Sequence, residues 1–294
     1  MVQTWRFLNT GSNTAACNMA LDEALFLLHE AGRIAPTLRV YAWCLPTLSL
    51  GYAQHTATAV DLAACQEHGV GVVRRPTGGR AVLHDHEVTY SVVMPLQLSD
   101  GPHSLTEHYH LIGTALAAAL HALQLPVRLE RPRVRTASTR AVASPACFAA
   151  LSRYELSVAG KKLVGSAQKR GQRSLLQHGS IPLSMDRQRL FACLQVPPEQ
   201  RARLVHEAYT TMTAVHEVAP TPLNAAALHT AVREAFAAVC GVELADSQIQ
   251  PEEWQLAQEL EATKYATEAW NLGGPAVWRQ ENPPPTPKTQ GARA

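Results

Sequence analysis

Three short stretches of this sequence combine residue types able to do chemistry. The first is Arg74-Arg75-Pro76-Thr77-Gly78-Gly79-Arg80-Ala81-Val82-Leu83-His84-Asp85. Adjacent glycines after a strand let the backbone approach a ligand closely and turn N–H groups toward it. Flanking arginines can grip a carbonyl or a phosphate through paired N–H bonds. A plain Gly-Gly turn between two strands has the same appearance, and His84-Asp85 equally suits a polar latch at a strand end. No further His or Cys at ligand spacing points to a metal.

The second stretch is Gly160-Lys161-Lys162-Leu163-Val164-Gly165-Ser166-Ala167-Gln168. Of 26 basic residues only five are Lys, and three of those (Lys161, Lys162, Lys169) fall within nine positions. Lys is a compact point charge whose pKa moves on desolvation, which Arg does not offer. Strand alternation puts Lys161 and Lys162 on opposite faces, so one of them points inward, on the same face as Val164. A solvated Lys pair at a hairpin end is the alternative. The third stretch is Ser144-Pro145-Ala146-Cys147-Phe148. Cys147 ends a polar, aperiodic run from residue 131 that reads as an active-site loop, whereas Cys193 and Cys240 sit in apolar patterns. A thiol titrating near ~8.5 needs a cation or a helix N-terminus to become thiolate at neutral pH, and Lys162 is a suitable cation.

Local signals supply the elements that must hold these stretches. Residues 18–31 place Leu21, Leu25 and Leu28 on one helical face. Leu38–Trp43, Ser49–Tyr52, Gly71–Val73, Glu87–Met94 and Ser174–Leu183 read as strands. Residues 59–68 read as a helix closed by Gly69, and Ser104-Leu105-Thr106-Glu107 as a capping box opening a helix to about Leu123. Tyr154–Val158, the Ala159-Gly160 turn and Lys162–Val164 form a hairpin pattern. Tight connections between adjacent strands predict an α+β fold with a mixed, mostly antiparallel sheet flanked by helices. Beyond residue 221, Leu228, Val232, Phe236 and Val239 recur at helical spacing and Gly241 stops them; Pro251 opens another helix. The expected organisation is a catalytic domain over residues 1–220, a small helical lobe over 221–273, and a proline-rich disordered tail over 274–294.

At 294 residues with 46% hydrophobic and 17% charged residues the composition is globular. A net charge of +2 calls for neither nucleic acid nor an anionic membrane as partner. The opening MVQTWRFLNT lacks basic and apolar leader regions, and no apolar run reaches the roughly 18 residues of a span. Six cysteines without a CxxC pair read as free thiols, so a cytoplasmic protein is expected.

Taken together, RRPTGGRAVLHD, GKKLVGSAQKR and LLQHGSIPL resemble the three signatures of the lipoate-protein ligase and octanoyltransferase superfamily. NMALDEAL and PEEWQLAQELEATKYATEAWN fit as well, so the resemblance covers residues 5–271. It implies a catalytic domain related to biotin-protein ligases. It also implies substrate-binding roles for Arg74, Arg75, Gly78, Gly79, Arg80 and His84 in the first string. Gly165, Ser166, Ala167 and Gln168 take that role in the second, and His178 and Gly179 in the third. ATP-dependent ligases generally carry a third glycine where this chain has Arg80, and a larger C-terminal domain. The Gram-positive type of octanoyltransferase has the Arg form and a Cys-Phe pair fifteen residues before the lysine, as Cys147 and Lys162 are here. By that resemblance Cys147 is the acyl-thioester nucleophile and Lys162 lowers its pKa. The implied reaction carries octanoyl from octanoyl-acyl carrier protein to the lysine of a lipoyl carrier such as glycine cleavage H protein or a dehydrogenase E2 lipoyl domain, with no cofactor. An ATP-dependent lipoate ligase and an octanoyl amidotransferase between carrier domains are the alternatives.

Overall fold

The computed structural model describes residues 2–98, 101–102, 104–130 and 155–282. The chain opens with β1 (Gln3–Asn13), α1 (Ala15–Glu30), β2 (Thr37–Trp43) and β3 (Thr47–Leu50). Two short helices follow, α2 (Thr56–Ala59) and α3 (Leu62–Glu67), and then β4 (Gly71–Arg74), β5 (Val82–His84) and β6 (Glu87–Pro95). A two-residue ladder, β7 (Gln97–Leu98) with β8 (Gly101–Pro102), leads to α4 (Leu105–Ala122) and β9 (Arg128–Leu129). Next come β10 (Leu156–Val158), β11 (Lys161–Arg170), β12 (Ser174–Pro182), α5 (Arg187–Ala192) and α6 (Pro198–Thr211). The chain continues with α7 (Val215–Val218), α8 (Ala225–Cys240), β13 (Val242–Asp246) and α9 (Pro251–Leu260). Two π-helical turns, Glu261–Tyr265 and Ala269–Gly273, run into α10 (Gly274–Glu281).

Among the described residues the main sheet has the order β13-β1-β2-β6-β12-β11-β10-β9. Only β13–β1 and β1–β2 are parallel; β2–β6, β6–β12, β12–β11, β11–β10 and β10–β9 are antiparallel. A smaller sheet, β4-β3-β5, pairs β3 parallel to β4 and antiparallel to β5. The expected mixed, mostly antiparallel sheet flanked by helices is what forms.

Helices cover both faces of the main sheet, which is why β6 and β12 are buried almost throughout. Alternation along β6 sends Val88, Tyr90, Val92 and Met94 into the core under α4 and α8. Val93 faces the other way, toward Leu25 and Phe26 of α1. Thr89 and Ser91 share that second face and are buried there as polar residues. Buried polar groups need partners, and those partners build the site below.

Helix ends follow local chemistry. Ser104 Oγ accepts from the Glu107 N–H and the Glu107 carboxylate accepts from the Ser104 N–H, capping α4 reciprocally. α8 stops at Gly241 with φ +63°. The helices beyond residue 221 take two positions. α8 buries Leu228, Val232 and Phe236 in the main core against α4, while α9 lies along α1. Among the described residues no helix is long and apolar enough to cross a membrane.

Candidate active site

The glycine stretch folds as a loop between β4 and β5, and both arginines are spent on shaping it. Arg75 donates to Ser49 O at 3.0 Å, Gly78 O at 2.7 Å and Arg80 O at 2.8 Å. Arg74 is buried and donates to the carbonyls of Trp270 (2.9 Å), Gly51 (3.0 Å) and Gln54 (2.7 Å). These guanidiniums hold the protein's own carbonyls, while Arg80 is exposed. Gly79 has φ +96°, and a Cβ there would lie 2.7 Å from Arg75 Nη2; a Cβ on Gly51 would lie 2.0 Å from Gly79 O. The loop is packed against the end of β3 as tightly as glycine permits.

Sheet register aligns the rest. One row runs Arg39, Ser91, His178, Ala167 across β2, β6, β12 and β11; the next runs Tyr41, Thr89, Ser180, Gly165. Both rows face α1. Asp22 of α1 is fully buried above them and accepts from Arg39 Nη1 (2.7 Å), Ser91 Oγ (2.7 Å), Tyr41 Oη (2.9 Å) and His178 Nδ1 (2.9 Å). Burial alone would raise the Asp22 pKa, but the Arg39 charge and the His178 bond outweigh it and hold it below the usual carboxylate range. An ionised carboxylate only accepts, so His178 carries its proton on Nδ1 and its Nε2 accepts from Thr77 Oγ1 at 2.6 Å. Burial pushes the His178 pKa down despite Asp22, so the ring is neutral at neutral pH.

A parallel chain lies beside it. Glu87 accepts from His84 Nδ1 at 2.8 Å, and His84 Nε2 meets Ser49 Oγ at 2.8 Å. Burial would raise the Glu87 pKa; the adjacent His84 and the hydroxyls of Ser180 and Thr89 lower it on balance. The His84 ring stacks on Trp43, 4.2 Å between centroids and 14° from parallel, and Trp43 Nε1 donates to Thr89 Oγ1 at 2.8 Å.

Between these chains and the backbone of β11 lies a small cavity. Its wall includes Arg75, His84, Gly165, Ser166, Ala167, His178 and Gly179, so the structure brings these expected site residues together. Gly179 is required there, since a Cβ would come within 2.6 Å of Gly165 O and of Tyr90 Cε1. Arg74, Gly78, Gly79, Arg80, Lys162 and Gln168 stand outside the wall; Gln168 donates to Gln177 Oε1 at 3.1 Å. The tyrosine, serine, tryptophan and histidine groups that line the cavity have protein partners. The exposed lining is mostly carbon.

Lys162 lies just beyond Gly165 on β11, fully buried, with Nζ 2.5 Å from Glu155 Oε1, which is buried too. Lys161 is partly exposed, in keeping with the alternation. Cys147 falls outside the described residues. The described ends of its segment meet, Glu130 N–H donating to Glu155 O at 2.9 Å, beside the pair Leu129 and Leu156. Glu155 therefore joins the root of that segment to Lys162.

Sequence reasoning missed Asp22, Arg39, Ser49 and Glu87. Asn18 and Asp22, four residues apart on the helix otherwise striped with leucine, were the available signal.

Comparison with known proteins bears on most of the chain. The model of the lipoyl protein ligase A/B catalytic domain matches residues 14–237. Octanoyltransferase LipM of Kyrpidia tusciae is 44% identical over 275 residues, covering 92% of this chain and 99% of the relative. Octanoyltransferase LipM of Bacillus subtilis is 37% identical over 272 residues, covering 92% and 98%. Among solved structures, a bi-partite lipoate protein ligase from Thermoplasma acidophilum shares the fold with a TM-score of 0.76 at 24% identity, covering 92% of this chain and 97% of that one. Sequence, sheet order and the three signature strings converge, and the chain belongs to the lipoyl protein ligase A/B catalytic domain family.

Proposed function

We propose that this protein is a cytoplasmic octanoyltransferase that moves octanoyl from octanoyl-acyl carrier protein to the lysine of a lipoyl-carrier domain, through a thioester on Cys147. The observation that carries the reading is the cavity: its polar lining groups are already bonded to protein, which suits an unsubstituted hydrocarbon. Each buried methylene contributes about 0.8 kcal/mol, so such a slot senses chain length. The extended similarity to octanoyltransferases supports the same reading.

The Cys147 thiolate attacks the octanoyl carbonyl, the bond to the carrier's sulfur breaks, and the carrier thiol leaves with a proton. The acceptor lysine, as a neutral amine, then attacks the enzyme thioester; a C–N bond forms, the C–S bond breaks and the amine proton returns to sulfur. Both steps pass through an oxyanion. Backbone N–H groups of Gly78–Gly79 or Gly165–Ala167 stabilise it, by roughly 3 kcal/mol per well-aimed donor. Lys162 supplies the positive charge that favours the thiolate. The thioester provides the driving force, so nucleotide is not consumed.

The test is transfer to a purified lipoyl domain, followed by intact mass, with octanoyl-acyl carrier protein and no ATP. A gain of one octanoyl on the lipoyl domain is expected. Transfer only from free octanoate or lipoate plus ATP would place the chain among ligases, and transfer only from an octanoylated carrier domain among amidotransferases.

A further inference from the structure

One motif of the sequence, the late KYATEAWN stretch, lies beyond the family match that ends at residue 237 and has no part in the chemistry above. Its contacts reach strand residues that adjoin the two backbone-donor segments, Arg74 directly and Lys169 through Glu23. Trp270 Nε1 donates to Arg74 O at 2.8 Å, and Arg74 Nε donates back to Trp270 O at 2.9 Å. The Arg74 N–H donates to Asn271 Oδ1 at 2.9 Å, and Asn271 Nδ2 to Tyr265 O at 2.7 Å. Thr56 Oγ1 donates to Leu272 O at 2.7 Å and accepts from Arg74 Nη2 at 3.0 Å. Four residues after Arg74 the chain reaches Gly78.

The other end of the stretch reaches the second segment through one carboxylate. Glu23 accepts from Lys264 Nζ at 2.5 Å and from Tyr265 Oη at 2.7 Å, and its other oxygen accepts from Lys169 Nζ at 2.7 Å. Lys169 is two residues beyond Ala167 on β11. The Lys264 ammonium also sits 4.1 Å from the Trp270 ring centroid. A buried Lys with a carboxylate on one side and an indole face on the other is held in place from two directions.

We propose that residues Lys264–Asn271 set the position of both the Gly78–Gly79 and the Gly165–Ala167 backbone segments, with Asn271 as the positioning residue at the Arg74 end. This rests on the octanoyltransferase reading. The stretch touches no reacting atom; it fixes the strand from which the glycine loop departs and ties it through Glu23 to β11.

The test uses the full-length enzyme with octanoyl-acyl carrier protein, comparing parent, Asn271→Ala, Asn271→Asp and Thr56→Val. Displaced donors lower kcat, by ~10- to 100-fold for Asn271→Ala, with KM for the acyl carrier and the iodoacetamide alkylation rate near those of the parent. Asn271→Asp keeps the acceptor for the Arg74 N–H and recovers part of kcat. Thr56→Val, a milder change that keeps the fold if Asn271→Ala does not, loses kcat in the same direction. Parent-like kcat in folded Asn271→Ala or in Thr56→Val, or a loss confined to KM, overturns the positioning role. A parent that transfers no octanoyl overturns the functional reading and this inference with it.

Discussion

His178 Nδ1 lies 2.9 Å from Asp22 Oδ2, joining the cavity wall on β12 to the buried carboxylate of α1. The same carboxylate takes the Arg39 guanidinium on its other oxygen. This relationship makes the site and the fold interdependent, because the group that fixes the His178 tautomer also neutralises a buried arginine.

Asp22→Asn should therefore destabilise the protein strongly. It leaves the Arg39 charge buried without its counter-ion, a loss of ~3–5 kcal/mol. Urea unfolding measures it; a change below ~1 kcal/mol would show that Thr10 Oγ1 and the Asn18 oxygens, which also accept from Arg39, suffice.

The His178 ring also sets a pH dependence. Its folded pKa lies below its unfolded value, so in mildly acidic solution the unfolded chain binds the extra proton and stability falls as pH drops below ~6.5. His178→Gln should flatten that part of the Tm–pH curve relative to the parent. An unchanged slope would assign the effect to partly buried rings, His29 and His229 among them.

A different limb belongs to Glu23, whose pKa is lowered to about 2 because Lys264 and Lys169 outweigh the burial that would raise it. Its stabilisation is present above the unfolded carboxylate value and disappears as pH falls toward 2. Glu23→Gln should be less stable than the parent at neutral pH, and the two should converge between ~pH 4.5 and 2. Parallel curves over that range would contradict the assignment.

Gly179→Ala inserts a methyl between β12, Gly165 O and the Tyr90 ring. Strand separation there should cost ~1–3 kcal/mol and distort the cavity wall. Thermal melts and octanoyl loading should both suffer. Normal loading in a stable variant would show that the acyl chain lies elsewhere.

Much of the fold was legible because its signals are local. The β-branched run of β6, the hairpin around Ala159-Gly160 and the α8 stop at Gly241 are each written within a dozen residues. The edge pairing of β1 with β13 was not, since parallel partners 239 residues apart (Gln3 and Val242) leave no joint signature. The same holds for the site: the three strings located the loop and β11–β12, but Asp22, Arg39 and Glu87 acquire roles only when sheet register brings them beside the histidines. The adjacent arginines read as ligand grips, and the structure spends them on carbonyls of the glycine loop and of residues 270–271, a use that no local pattern distinguishes.

The electrostatic role of Lys162 is separable from its bulk. Lys162→Ala should slow alkylation of Cys147 at neutral pH, with the gap closing toward and beyond ~8.5, where an unassisted thiol ionises. Lys162→Arg should keep the thiolate better than turnover, and Lys161→Ala should alter neither. An unmoved Cys147 titration in a dead Lys162→Ala enzyme would give Lys162 a substrate or oxyanion role instead.

An octanoyl thioester on Cys147 should form when the enzyme is mixed with octanoyl-acyl carrier protein alone, without ATP or acceptor. Intact mass followed by peptide mapping should show one octanoyl group per chain, on the peptide containing Cys147 and released by mild hydroxylamine, and none on Cys147→Ala. An adduct on another cysteine, or no adduct in an enzyme that still turns over when the lipoyl domain is added, would contradict it.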